Sequence, residues 1–334
     1  MALSLGCAFV VGLAVTFVVL WATRRLGFID RPNARSAHHV PTPTVGGLGI
    51  VAGFWAGLGS WGWVGGRFGE EVWGLLGATL LLLTTVIDDV VRPLRPAEKT
   101  GLLLLAIAAW LGCGLRLEGL TLPGLGRVEL GVWGWPITAL WFVFLCNAAN
   151  FMDGIDGLSG SQVLCAGGCM GYLLWELGGP AGPIASILAL ASGGFLVFNF
   201  PPARIFMGDV GALFIGFVLA ACGVLGEKIG LPLWVFSAML AVYFFDVSYT
   251  LVRRFLHGEN VFEAHRKHLY QRLDKLGWSH RKIDAVAVAI TLVMSLGAHL
   301  YLKGSTSAGY VFALGGGVLV FGAVWIETQD SEFA

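Results

Sequence analysis

Four polar residues recur at every third position in the stretch Asn147-Ala-Ala-Asn150-Phe-Met-Asp153-Gly154-Ile-Asp156-Gly157-Leu158. A spacing of three stacks side chains near one face of a helical turn, so the pattern predicts a shared face for Asn147, Asn150, Asp153 and Asp156. Gly154 and Gly157 let the backbone leave the helix or approach a ligand closely. Amide and carboxylate oxygens are hard ligands suited to Mg²⁺, which keeps several waters and binds through one or two carboxylates plus substrate phosphates. The bland alternative is an Asn/Asp/Gly turn capping the next helix. That alternative explains the residue types but not the length and regularity of the run.

Three further constellations carry chemistry. Asp88 and Asp89 follow the apolar run 80–87 directly. Carboxylates near membrane depth are costly and mark function. Here they suit a metal- or phosphate-handling pair or a general base, against the plainer reading of a helix end meeting water beside Arg92. Lys99, in the loop after the pair, is a candidate substrate-binding cation. The loop Asn199-Phe-Pro-Pro-Ala-Arg204-Ile-Phe206-Met-Gly208-Asp209-Val-Gly211 presents an amide, a cation, an aromatic ring and a carboxylate. Asp209 either caps the following helix or holds a metal against a diphosphate. In His265-Arg266-Lys267-His268 the two imidazoles fall at i and i+3, predicting one helical face that clamps an anion. A basic helix lying on lipid headgroups is the alternative. No P-loop, G-x-S-x-G, H-E-x-x-H or Rossmann fingerprint occurs, so nothing points to ATP hydrolysis.

The elements that position these groups are membrane helices. Of 334 residues, 56% are hydrophobic and 13% charged, with zero formal net charge, and the mean hydropathy is +0.77. An ordinary soluble domain is about a quarter charged, and a neutral chain gives no field for nucleic acid. The six Cys lie in or beside apolar runs without a C-x-x-C and read as small packing residues. Eleven segments are apolar and long enough to cross a bilayer: 2–23, 45–65, 72–89, 100–117, 132–149, 158–178, 183–199, 211–227, 230–251, 284–303 and 309–326. Backbone pairing in lipid makes them helices. The predicted fold is therefore all-α and polytopic, a single domain over 1–334 with the motifs between about 24 and 275. Loops after odd-numbered segments hold 16 Lys/Arg and the others 5, which predicts an outside N-terminus and an inside C-terminus. Every polar constellation follows an odd-numbered segment, so one site on the cytoplasmic face is expected. Such a site suits transfer between a phosphorylated soluble donor and a lipid acceptor. A transporter stays open as the other class, because Asp246 is an intramembrane carboxylate; the span-end placement of the polar groups and the lack of related halves argue against it.

Pro41-Thr-Pro-Thr-Val-Gly-Gly47, Asp88-Asp89, the 147–158 string, Phe206-Met-Gly-Asp209-x-Gly211, and Asp246 ahead of Arg253-Arg254 recur in this order in one family. The chain resembles the polyprenyl-phosphate N-acetylhexosamine-1-phosphate transferases, which include the undecaprenyl-phosphate GlcNAc-1-phosphate transferases and the phospho-MurNAc-pentapeptide translocases. The resemblance implies Asp209 as principal Mg²⁺ ligand (Mn²⁺ as an alternative ion), with Asn150 close by and Asp153 in support. It implies Asp156 at the uracil, Phe206 stacked on or near it, Asn199 lining the nucleotide pocket, and Asn147 as a further substrate-binding residue. Asp88 and Asp89 would lie by the lipid phosphate, Asp88 as the favoured base, and His265, Arg266 and His268 would hold phosphate or sugar.

Three positions depart from the pattern. Arg92 stands where many relatives have a further Asp, Ala212 where Ser is usual, and His268-Leu-Tyr270-Gln271 replaces a multiple-His cluster. The last looks like the subgroup that starts O-antigen synthesis on N-acetylated amino sugars. The implied partners are a UDP-N-acetylhexosamine, undecaprenyl phosphate and the bilayer of a bacterial inner membrane; a homodimer stays open as the assembly.

Overall fold

The computed structural model describes residues 1–27, 29–30, 41–261, 263 and 265–329, and only the backbone at Ile29, Asp30 and Asp89. Arg31 and Arg35, two of the cations in the orientation count, and the side chain of Asp89 lie outside the described residues.

Helices dominate. In chain order they are α1 (Ala2–Leu26), α2 (Gly47–Trp63), α3 (Glu71–Leu82), α4 (Val86–Val90), α5 (Pro96–Gly112), α6 (Gly134–Phe151), α7 (Leu158–Leu177), α8 (Ala181–Asn199), α9 (Gly208–Lys228), α10 (Leu233–Met239), α11 (Ala241–Leu256), α12 (Leu269–Lys275), α13 (His280–Leu302) and α14 (Ser307–Gln329). Each of the eleven apolar segments coincides with a helix or a helix pair. Seven, counting α3 through Asp88 as one, are long and apolar enough to cross a membrane alone, and the α10–α11 pair makes an eighth. The expected straight span over 230–251 is corrected: α10 and α11 meet at a 90° bend. The all-α expectation also misses two small antiparallel ladders, Ile29–Asp30 with Thr42–Pro43 and Gly119–Leu122 with Gly126–Glu129. Both lie in connections, where backbone groups outside a helix need partners.

Contacts among the loops fall into two sets. Lys99 reaches Asp88 and Asp209, the Gly157 amide donates to Asn199, Arg281 donates to Pro201, and Tyr270 donates to Phe151. These join connections that follow odd-numbered segments. Trp61 packs on Trp175, Lys228 pairs with Glu118, and Lys303 pairs with Glu176, joining the even-numbered ones. The polar motifs thus gather at one end of the bundle. For orientation, cysteines introduced near Gly66, Gly124 and Ser305 on a cysteine-free background should label from outside intact cells, and ones near Ala97 or Glu259 should not. The reverse pattern would turn the motif end outward.

The bundle is organised around α9, 89% of whose spanning window is buried, whereas α14 is only 17% buried and lies at the rim. α2 and α9 touch backbone to backbone: the Gly46 and Gly47 amides donate to the Phe206 and Met207 carbonyls, both at 2.8 Å. A Cβ on Gly47 would stand 2.3 Å from the Gly211 Cα. The Pro41–Gly47 motif is therefore a close-approach device that seats the entry to α9. A second interface, between α7 and α13, is polar although buried. Ser161 lies 2.8 Å from Asp284, and Thr291 donates to Gln162 at 2.6 Å.

Candidate active site

Four residues far apart in sequence converge. The Lys99 ammonium, in the first turn of α5, lies 2.6 Å from Asp88 Oδ2 and 2.6 Å from Asp209 Oδ2. Asn150, near the end of α6, donates from Nδ2 to Asp209 Oδ1 at 2.9 Å. Local structure explains how each is presented. The helix carrying Asp88 tightens into a 3₁₀ turn at Leu83–Thr85 before α4. The Asp88 Oδ1 then accepts the Leu94 amide at 2.5 Å, closing the turn into α5. Pro96 starts α5, and the Glu98 carboxylate accepts the Arg95 backbone amide at 2.7 Å. Glu98 also holds Arg92, at 2.8 Å, so this departure from the family pattern forms its own exposed ion pair.

Asp209 sits inside the first turn of α9, where the helix dipole favours negative charge. It does not cap that helix, since no side-chain cap bond is made; the plain capping reading fails. The side chains of Asp88, Lys99 and Asp209 keep 16%, 34% and 21% of their surface accessible, so solutes reach them.

The predicted shared face of 147, 150, 153 and 156 is corrected. α6 ends at Phe151, so Asp153 and Asp156 lie in the turn beyond it. Asn147 turns back on its own helix and donates to the Val143 carbonyl at 2.7 Å. Asp153 is half-buried beside this turn. Asp156 Oδ2 accepts the Ala203 amide at 3.0 Å and lies 3.4 Å from His280 Nδ1. Asn199 is buried, accepting the Gly157 amide at 3.0 Å and donating to the Ile205 carbonyl at 2.9 Å. Its role in the structure is to staple the two loops together. Phe206 is half-buried, its amide donating to the Pro43 carbonyl at 2.8 Å.

The shared helical face expected for His265 and His268 is also corrected. Residues 265–267 are not helical, and His268 is the N-cap of α12. The rings still meet, stacked with centroids 4.9 Å apart. His268 is buried, its Nδ1 2.9 Å from Asp246 Oδ1. Asp246 also accepts the Leu269 and Tyr270 amides at 3.0 Å, so this carboxylate anchors the start of α12. Burial, helped by the charges of His268, Arg254 and Lys267, pushes the His265 pKa down to about 4 against the opposing pull of Glu259. Neutral at pH 7, it is a hydrogen-bonding group rather than a cation. Arg266 lies 3.7 Å from Asp274. The Tyr270 hydroxyl donates to the Phe151 carbonyl at 2.7 Å, resting α12 on the 151–154 turn. His280 and Arg281 bond the same loops and belong to no motif that the sequence sets apart. Their one signal was position, immediately after the helix-capping Ser279.

Two carboxylates aimed at one point make a place for positive charge, held by the Lys99 ammonium. Among the described residues no group of three His, Cys, Asp or Glu converges. A divalent cation held by Asp88 and Asp209 would therefore draw further oxygens from water and a bound phosphate, which is the habit of Mg²⁺.

Comparison with known proteins finds relatives of one family. Residues 72–227, which hold Asp88, Lys99, Asn150 and Asp209, match the model of glycosyl transferase family 4. A Bacillus subtilis (strain 168) protein described as "Probable undecaprenyl-phosphate N-acetylglucosaminyl 1-phosphate transferase" is 30% identical over 90% of this chain and 85% of its own. A phospho-N-acetylmuramoyl-pentapeptide-transferase of Synechococcus sp. (strain JA-3-3Ab) is 32% identical over 88% of each. A decaprenyl-phosphate N-acetylglucosaminephosphotransferase of Mycobacterium tuberculosis (strain CDC 1551 / Oshkosh) is 28% identical over 86% of this chain and 81% of its own. With its four converging residues inside the matched region and likeness running over nearly the whole length, the chain belongs to glycosyl transferase family 4, the polyprenyl-phosphate hexosamine-1-phosphate transferases.

Proposed function

We propose that this membrane protein transfers N-acetylhexosamine-1-phosphate from a UDP-sugar to undecaprenyl phosphate at the cytoplasmic face, giving undecaprenyl-diphospho-sugar and UMP and starting O-antigen or a related surface polysaccharide. The observation that carries the reading is the Asp88–Lys99–Asp209 convergence at the N-terminus of α9. A terminal phosphate is largely ionised at neutral pH, its second pKa being about 6, so the lipid phosphate attacks without a strong base. Its oxygen bonds to the β-phosphorus while the bond from that phosphorus to the α–β bridging oxygen breaks, and UMP leaves with the electron pair. The chain's task is positioning and charge neutralisation. Asp88 and Asp209 would hold Mg²⁺, which when bound supplies positive charge to the diphosphate and the leaving phosphate. Lys99 neutralises the same region, and the first turn of α9 directs backbone N–H groups toward anionic oxygen. Asp156 contacts the uridine, and neutral His265 with Arg266 lies on the sugar-phosphate side.

Two observations favour this reading over its rivals. Asp246, the carboxylate that suggested a transporter, is committed to the start of α12. Tyr270 and Gln271, where relatives carry imidazoles, bond to Phe151 and to the His268 amide and so hold α12 in place. With no multiple-His cluster at 268–271, we read the donor as a small amino sugar rather than a MurNAc-pentapeptide. Purified protein should exchange labelled UMP into UDP-sugar only with polyprenyl phosphate present, and EDTA should abolish the exchange. Across a panel of donors, UDP-N-acetylhexosamines should turn over faster than the pentapeptide donor. Uptake of sugar nucleotide into sealed vesicles without any lipid product would exclude the transferase.

A further inference from the structure

The first turn of α13 is bonded to both loops that border the Lys99 centre. The Arg281 guanidinium donates twice to the Pro201 carbonyl, at 3.0 and 2.8 Å. His280 lies between two carboxylates from different elements. Its Nδ1 is 3.4 Å from Asp156 Oδ2 in the turn after α6, and its Nε2 is 3.3 Å from Asp274 Oδ1 on α12. The Asp156 amide points at the same Nδ1 from 3.3 Å.

These contacts settle how Asp156 is aimed. The Ala203 amide and His280 both address Oδ2. Two contacts on one oxygen restrict the rotation of the carboxyl. Arg281 already pins α13 to the 199–206 loop, so His280 is not required merely to attach the helix. An imidazole keeping only 17% of its side-chain surface beside two carboxylates is a specific choice, because buried polar groups are tolerated when their partners are in place. We infer that His280 is a positioning residue that, braced by Asp274, aims the Asp156 carboxylate at the nucleoside of the donor. This rests on the reading of Asp156 as a uridine contact.

The test is steady-state kinetics with the UDP-sugar varied at saturating polyprenyl phosphate, on full-length protein in detergent or nanodiscs. His280→Ala should raise the donor KM about 10-fold, the size of losing one hydrogen bond to a charged group, and leave kcat within about threefold. His280→Asn, whose amide nitrogen falls near the Nδ1 position, should recover most of that loss. If His280 acts through Asp156, the His280→Ala/Asp156→Asn double variant should be no worse than Asp156→Asn alone. Additive losses, or a fall confined to kcat, would overturn the positioning role while leaving the Asp156 assignment in place. A normal donor KM in Asp156→Asn itself would remove the uridine contact, and the role of His280 with it. Loss of folding in His280→Ala, with His280→Asn folded but not restoring KM, would also overturn the proposal.

Discussion

Asp209→Asn is expected to lower kcat by about 10³-fold, the scale of removing one preorganised electrostatic contact at a reacting centre. The substitution keeps size and one acceptor oxygen but deletes the charge that faces Lys99 and Asn150. Charge shifts onto the leaving phosphate as the P–O bond breaks, so a cation held by Asp209 would be worth more in the transition state than in the ground state. Its loss therefore falls on kcat more than on KM. Donor KM measured beside kcat across a Mg²⁺ titration checks this. Near-normal turnover at ordinary Mg²⁺ would show that the site is wrong at its centre. The local fold should survive, because Asp209 caps nothing and α9 is held by packing.

Gly47→Ala should be nearly as damaging, by another route. The added methyl would meet Gly211 Cα at 2.3 Å, Gly211 N at 2.6 Å and the Met207 carbonyl at 2.8 Å. All three are backbone atoms that cannot rotate aside, so α2 and α9 must separate. Overpacking of this kind costs about 1–3 kcal/mol. Asp209 lies two residues before Gly211 and moves with the helix, and a displacement near 1 Å at a catalytic group costs about 10²-fold in rate. Thermal unfolding and exchange activity should fall together. Gly168→Ala is the control: nothing lies within 4 Å of its would-be Cβ, and Ala is the better helix former. Unchanged stability and activity in Gly47→Ala would show that the α2–α9 contact is looser than drawn.

The contrast between these two positions shows what the sequence makes legible. Helices could be read because lipid leaves the backbone no other partner, so apolar length alone located eleven segments. Asp88, Asn150 and Asp209 could be read because polar residues at span ends are costly and few. Their mutual distances were invisible: nothing local says that residues 88, 99, 150 and 209 meet, since that depends on how α9 sits in the bundle. The bend at Leu240 was hidden because no proline or charge interrupts 233–245. The helical reading of 153–156 failed because Gly154 and Gly157 permit departure from the helix, and Gly157 takes φ +82° to make it. His265 to Lys267 failed for a related reason: a spacing of three is compatible with a helix but does not require one.

The polar pairing between α7 and α13 acts as a registration key. Apolar helices in lipid can slide past one another at small cost, because hydrocarbon packs about equally well against any neighbour. Ser161 with Asp284 and Gln162 with Thr291 leave one low-energy alignment, since a shift by a turn would strand each buried group without its partner. That alignment fixes the height of His280 and Arg281 against Asp156 and Pro201. The seating of the turn that carries Asp156 is thus set partly by paired side chains inside the bundle.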